Sequence, residues 1–156
     1  SLTSVEIGDS VTRIERYAFE NCNALTSVVI GESVTSIGSY AFYKCTSLTS
    51  IEIPESVKSI DDGAFWNCDS LTSVVIPDSV TSIGNRAFSN CNSLTSVTIG
   101  NSVNTIGMSA FSNCSLLRSI NFNGTKEEWN NITKYSGLAD DVPATYVQCT
   151  DGTVKI

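Results

Sequence analysis

The sequence predicts a repeat solenoid, mainly β, in which short coils stack along one axis. Three observations carry this. Leucine falls at Leu2, Leu25, Leu48, Leu71, Leu94 and Leu117, always 23 residues apart, and self-similarity at such a period marks a stacked architecture. Each leucine opens one apolar pattern, which in the third copy runs Leu48, Ile51, Ile53, Val57, Ile60, Ala64, Phe65 and Cys68. Only the position of Ile51 varies, between Val and Ile, while the positions between drift among Ser, Thr, Asn, Asp, Glu, Lys and aromatics. Lastly, so short a unit cannot bury its apolar side chains alone, but neighbouring copies can roof it.

Within a copy, the first leg (Thr49–Ile53) alternates Ile51 and Ile53 with polar residues, which is the period of a half-buried strand. Copies of it pair in parallel up the stack. Pro54, Pro77, Gly8, Gly31 and Gly100 follow this leg as turn residues. Val57-x-x-Ile60 suits either a helical turn or, with its β-branched residues, a second short extended segment; the second is preferred. Ala64-Phe65-x-x-Cys68 reads as a tight turn or 3₁₀ stretch, and Asn21, Asn67, Asn90 and Asn113 before the cysteines suit loop ends.

Five complete copies run 2–24, 25–47, 48–70, 71–93 and 94–116; a sixth opens at Leu117, Ile120 and Phe122 and then departs. The array is therefore placed at 1–122 and a C-terminal cap at 123–156. In the cap, Thr125-Lys126-Glu127-Glu128 forms a capping box ahead of a short helix over 126–133. A polar loop is expected over 134–143. Asp151-Gly152 then joins strands at 145–149 and 153–156 as a hairpin that closes the open sheet edge. Ser1 precedes a repeat leucine with neither initiator Met nor N-terminal cap, which reads as a piece of a longer chain.

Composition removes whole functional classes. Nine Lys and Arg against sixteen Asp and Glu leave a net charge of −7, which opposes nucleic-acid or anionic-membrane binding. There is no histidine, hence no usual serine triad and none of the commonest metal ligand. No apolar run reaches the ~20 residues of a membrane span. No catalytic, cofactor-binding or metal residue is expected, and the chain is read as no enzyme. Cys22, Cys45, Cys68, Cys91 and Cys114 are repeat positions and Cys149 lies outside them. A disulfide framework is one reading, but cysteines that close an apolar pattern read better as small buried hydrophobes.

Three features remain as candidate sites. The first is aromatic: Tyr17, Tyr40, Tyr43 and Trp66 flank the Ala-Phe turns of the first three copies, at positions the repeat leaves free. They form either an interaction patch or a cover for the Phe ladder or a preceding coil. The second is the outward strand position, Glu6, Val29, Glu52, Val75 and Thr98, beside near-invariant Thr-Ser pairs. It reads as a partner-binding face or as plain soluble strand surface. The third is the column Asp9, Glu32, Glu55 and Asp78, a solvated edge or oxygen ligands for calcium.

The pattern L-x-x-[VI]-x-I-[PG]-x-S-V-x-x-I-x-x-x-A-F-x-x-C over residues 2 to about 122 resembles the bacterial leucine-rich repeats of the BspA-like, or Treponema pallidum, type. Gly124–Trp129 resembles the cap that often ends such arrays. The resemblance implies a right-handed superhelix of 23-residue coils. It also implies a secreted or surface-exposed bacterial protein, with no shared catalytic residues. The expected function is protein interaction, adhesion to a host matrix protein, a cell-surface protein or a neighbouring cell; the alternative is a structural spacer in a longer surface protein.

Overall fold

The computed structural model describes all residues, Ser1–Ile156, and shows the stacked coils with little helix. Each coil has two extended legs. The first legs are β1 (Ser4–Ile7), β3 (Ser27–Ile30), β6 (Ser73–Ile76), β8 (Ser96–Ile99) and β10 (Ser119–Phe122). The second legs are two-residue strands: β2 (Arg13–Ile14), β4 (Ser36–Ile37), β5 (Ser59–Ile60), β7 (Ser82–Ile83), β9 (Thr105–Ile106) and β11 (Thr133–Lys134). The second legs form one six-stranded parallel sheet without a gap. The Val-x-x-Ile spacing thus resolves as an extended segment, and Ala-Phe-x-x-Cys as a plain turn.

Register is fixed at the repeat period. Val5 lies opposite Val28, Ser59 opposite Ser82, and Ile76 opposite Ile99. A one-residue slip would send every apolar side chain to solvent, so burial enforces this pairing. The result is one continuous core of 42 buried residues. Phe19, Phe42, Phe65, Phe88 and Phe111 stack with ring centroids 5.1–5.5 Å apart and planes within 9°.

Turn positions carry a backbone demand. Tyr17, Tyr40, Gly63, Arg86, Ser109 and Gly137 all have φ between 53° and 70°, as do Asn21, Lys44, Asn67, Asn90, Asn113 and Asp141 between 56° and 59°. Asn and Asp tolerate this left-handed geometry better than most residues, which explains the asparagines before the cysteines.

Two expectations from the sequence change. Residues 49–53 of the third copy do not form a strand, so the first-leg sheet is cut into a β1–β3 pair and a separate sheet containing β6, β8 and β10. The coil geometry also returns after residue 122. The helix α1 (Lys126–Asn131) ends two residues short of the expected 133 and has the expected reciprocal capping box of Thr125 and Glu128. Beyond it β11 pairs with β9, and Ser109, Phe111 and Asn113 donate to the carbonyls of Ser136, Leu138 and Asp140. In earlier coils Tyr17, Phe19 and Asn21 donate in the same way to Ser39, Ala41 and Tyr43. The segment expected as a polar loop therefore repeats the turn, offset by the helical insertion. Lys134 Nζ closes the helix end by donating to the carbonyls of Trp129 and Ile132. β12 (Tyr146–Cys149) then continues the first-leg sheet in parallel, and β13 (Gly152–Lys155) returns antiparallel as its edge.

All six cysteines are free thiols, and only Cys22 is less than fully buried. The four inner ones do more than fill space. Cys45, Cys68, Cys91 and Cys114 donate S–H to the carbonyls of Phe19, Phe42, Phe65 and Phe88 in the preceding coil, at 3.1–3.3 Å. Cys149 sits outside this ladder, at the end of β12, paired with Gly152 of β13.

Removing one ring from the Phe ladder breaks two stacks and leaves a cavity. Phe65→Ala is expected to lower unfolding free energy by about 3–5 kcal/mol, read as a lower urea midpoint. The thiols make a second prediction. Burial pushes the Cys45 thiol from 9.0 up to about 12, so the fold keeps a proton that the unfolded chain loses. Stability is intact below 9.0 and falls as pH rises from there toward 12. Cys45→Ala should flatten that fall in urea midpoints measured across the window. Alkylation of the native chain should reach Cys22 first.

Candidate functional site

The aromatic residues singled out in the sequence come together. Tyr17 and Tyr40 occupy equivalent left-handed turn positions of adjacent coils, and their rings stack at 5.2 Å and 12°. Tyr43 and Trp66, at the position three residues on, meet at 5.0 Å. Tyr40 joins the two pairs, edge-on to Tyr43 at 5.9 Å and tilted to Trp66 at 6.2 Å. Gly63 makes this possible: a Cβ there would lie 2.6 Å from the Tyr40 ring. The third coil thus gives up its own side chain at this position to seat the tyrosine of the second.

Cations border the cluster. The Arg16 guanidinium lies 4.7 Å from the Tyr17 ring centre and 5.9 Å from that of Tyr40, and donates to the Tyr17 hydroxyl at 2.9 Å. Lys44 lies over Tyr43 at 5.2 Å, and Arg86 over Trp66 at 5.8 Å. Glu15, Glu20, Asp61 and Asp62 share these turns, so the border is mixed in sign.

Exposure corrects the sequence reading in one respect. Only Tyr17, at 41%, is exposed; Tyr40, Tyr43 and Trp66 are half-buried. Serines at the Tyr43 and Trp66 position in later coils, Ser89 and Ser112, are buried and donate to the carbonyls of Ser112 and Gly137. This column therefore lies against the next coil, and large aromatics there partly overhang it. The Trp66 indole Nε1 is enclosed without a hydrogen-bond partner.

The strand-face candidates form a separate surface on the first legs. Glu6 lies opposite Val29, and Val75 opposite Thr98. Val29 and Val75 are exposed by 56% and 60%, and Glu6 and Glu52 are exposed as well. Glu52 belongs to the copy that is not a strand, so the row is interrupted at its centre. The aromatic cluster sits on the turn after the second leg, and the structure does not merge the two sets.

The acidic column resolves into different roles. Asp9 accepts from the Glu32 amide at 3.0 Å and Asp78 from the Asn101 amide at 2.9 Å. These carboxylates support the neighbouring coil. No group of three or more His, Cys, Asp or Glu converges that could hold a metal ion, and no helix is long and apolar enough to cross a membrane. Sequence reasoning missed a further support, Asp62, which takes the Asn85 amide at 2.7 Å and its side chain at 3.2 Å.

This geometry has close parallels. The chain matches six copies of the BspA type leucine rich repeat region, over residues 1–118 and 59–136. A leucine rich cell surface protein from Faecalibacterium prausnitzii is 40% identical with a TM-score of 0.82, covering 87% of this chain and 36% of that one. The leucine rich repeat protein of T. pallidum is 32% identical with a TM-score of 0.75, covering 88% of this chain and 70% of that one. A leucine-rich repeat protein from Bacteroides ovatus is 40% identical with a TM-score of 0.73, covering 77% and 31%. The chain therefore spans about a third of the length of the Faecalibacterium and Bacteroides proteins. No curated protein matches it in sequence. With period, ladders and turn geometry all in agreement, the chain belongs to the BspA-type leucine-rich repeat family.

Proposed function

We propose that the chain is a non-enzymatic protein-interaction module of a secreted or surface-exposed bacterial protein, adhering to proteins of a host or of neighbouring cells. Surface display is taken from the Faecalibacterium relative, which is described as a cell surface protein. The observation that carries the interaction reading is the cluster of Tyr17, Tyr40, Tyr43 and Trp66. The repeat does not require it, since Arg86, Ser89, Ser109 and Ser112 hold the same positions in coils that fold alike. Half-buried aromatic rings with polar tips are the usual anchors of protein interfaces. Glu6, Val29, Glu52, Val75 and Thr98 offer a second, more polar surface. Residues 123–156 serve as the cap: α1 and the β12–β13 hairpin cover the last coil and replace a parallel edge with a short antiparallel one.

The spacer reading draws on the later coils, whose turn positions are Ser and Arg rather than aromatic. The two readings part on one measurement. The chain is immobilised and matrix and cell-surface proteins are passed over it; adhesion gives saturable binding and a spacer gives none. The Tyr43→Ser/Trp66→Ser variant should bind at least about tenfold more weakly. It should stay folded, because Ser89 and Ser112 already fill that column in two coils. Unchanged affinity in the variant would remove the aromatic cluster as the site.

A further inference from the structure

The first-leg sheet is cut at the third coil, and the cause is legible in two prolines. At the end of the first leg, Gly100 and Asn123 donate their amides to the carbonyls of Ile76 and Ile99 in the preceding coil, each at 2.9 Å. Pro54 and Pro77 hold the equivalent position in coils three and four and have no N–H to donate. Asn123 makes this bond in spite of its Cβ, so it is the lost N–H that sets the proline coils apart. Of the backbone bonds that join first legs, only Thr72 to Thr49, at 3.2 Å, remains on either side of residues 49–53. The second-leg sheet runs through the same coils unbroken.

The cut opens a cleft of about 480 Å³ between coils three and four, lined by Glu32, Ser50, Glu52, Glu55, Ser73 and Val75 among others. A smaller one of about 150 Å³ lies between coils two and three and shares Glu32 and Glu52. Unlike Asp9 and Asp78, the carboxylates of Glu32, Glu52 and Glu55 make no hydrogen bond or ion pair within the chain. The first legs of the five complete copies, with their turns, carry six carboxylates and no Lys or Arg. Exposed Val29 and Val75 flank the opening. Unpaired strand groups, free carboxylates and flanking valines thus meet at one place.

We propose that this seam is a docking site for an extended, basic peptide segment of a partner protein. Its Lys or Arg side chains enter between the coils toward Glu32, Glu52 and Glu55, their aliphatic stems lying on Val29 and Val75. Its backbone lies across the mouth of the cleft, where Ser50 and Ser73 present their hydroxyls. This rests on the interaction-module reading but not on the aromatic cluster.

The test uses the full chain and a short fluorescein-labelled peptide alternating lysine and valine, followed by anisotropy. Glu32→Gln/Glu52→Gln/Glu55→Gln should weaken binding about tenfold or more. The control Glu15→Gln/Glu20→Gln/Asp141→Asn should leave it unchanged. Pro54→Gly/Pro77→Gly keeps every charge but restores the missing amides. It should slow hydrogen exchange over residues 50–53 and also weaken the peptide. Unchanged binding in either seam variant, equal loss in the control, or spermine binding as tightly as the peptide would each overturn the proposal. Tyr43→Ser/Trp66→Ser should bind this peptide as the parent does, so the aromatic reading and the seam stand or fall separately.

Discussion

The structure depends on one constraint: each coil must superimpose on the next at a shift of 23 residues, so that backbone groups find partners in the neighbouring coil. A coil has almost no internal long-range bonding of its own. Its amides and carbonyls are satisfied up and down the stack, and a buried backbone group left unpaired is costly. Everything repeated in the sequence serves that superposition. Apolar residues stand above themselves as ladders. The cysteines donate to a carbonyl of the coil before. Gly38, Gly84 and Gly107 are small because an added Cβ would come within 2.4–2.7 Å of the preceding backbone.

Side-chain bonds obey the same shift. Thr26, Thr35, Thr72, Thr81 and Thr95 donate their hydroxyls to the carbonyls of Thr3, Thr12, Thr49, Lys58 and Thr72, each 23 residues back. The monotony of the Thr columns is thereby explained without a ligand. A threonine in such a column spends its hydroxyl and its amide on the stack, and only its methyl remains for a partner. Specific recognition therefore falls to positions the stack leaves uncommitted.

The core and the two legs were legible in the sequence because burial repeats with a period and the period can be counted. The turns were legible in part: Asn21 and Asn67 marked loop ends, but the left-handed φ they adopt was not foreseen, and Tyr17, Tyr40 and Arg86 adopt it with no sequence signal at all. The return of the coil at Thr133 was hidden because the helical insertion shifts the period, and the residues that resume it, Leu138 and Ala139, do not repeat Ala-Phe. The cut at coil three was hidden for another reason. Proline and glycine are equivalent as turn residues, and they differ only in what they offer the neighbouring coil. That difference is a property of pairs of copies, which reading any one copy does not expose. The candidate residues were found as a departure from the repeat, but their mutual contact needed three-dimensional stacking of adjacent turns.

The energetics of the aromatic cluster bear on why it exists. Left-handed φ at Tyr17 and Tyr40 costs about 1–2 kcal/mol each against glycine, and Gly63 and Gly137 show that glycine is usable at this column. An enclosed Trp66 Nε1 without a partner costs about 1–3 kcal/mol more. Against this stand the four ring pairs, at about 0.5–1.5 kcal/mol each, and the bordering cations, at about 0.5–1 kcal/mol each where exposed. The opposing totals are of the same size. The cluster thus neither builds the solenoid nor burdens it, and coils with Ser109 and Ser112 stack in the same register without it. A feature that is neutral for folding, locally strained and confined to three adjacent coils fits the surface role proposed for it. If the cluster is the proposed site, a partner adds to this balance by covering the ring that Tyr17 leaves exposed, while the enclosed Trp66 indole Nε1 stays out of its reach.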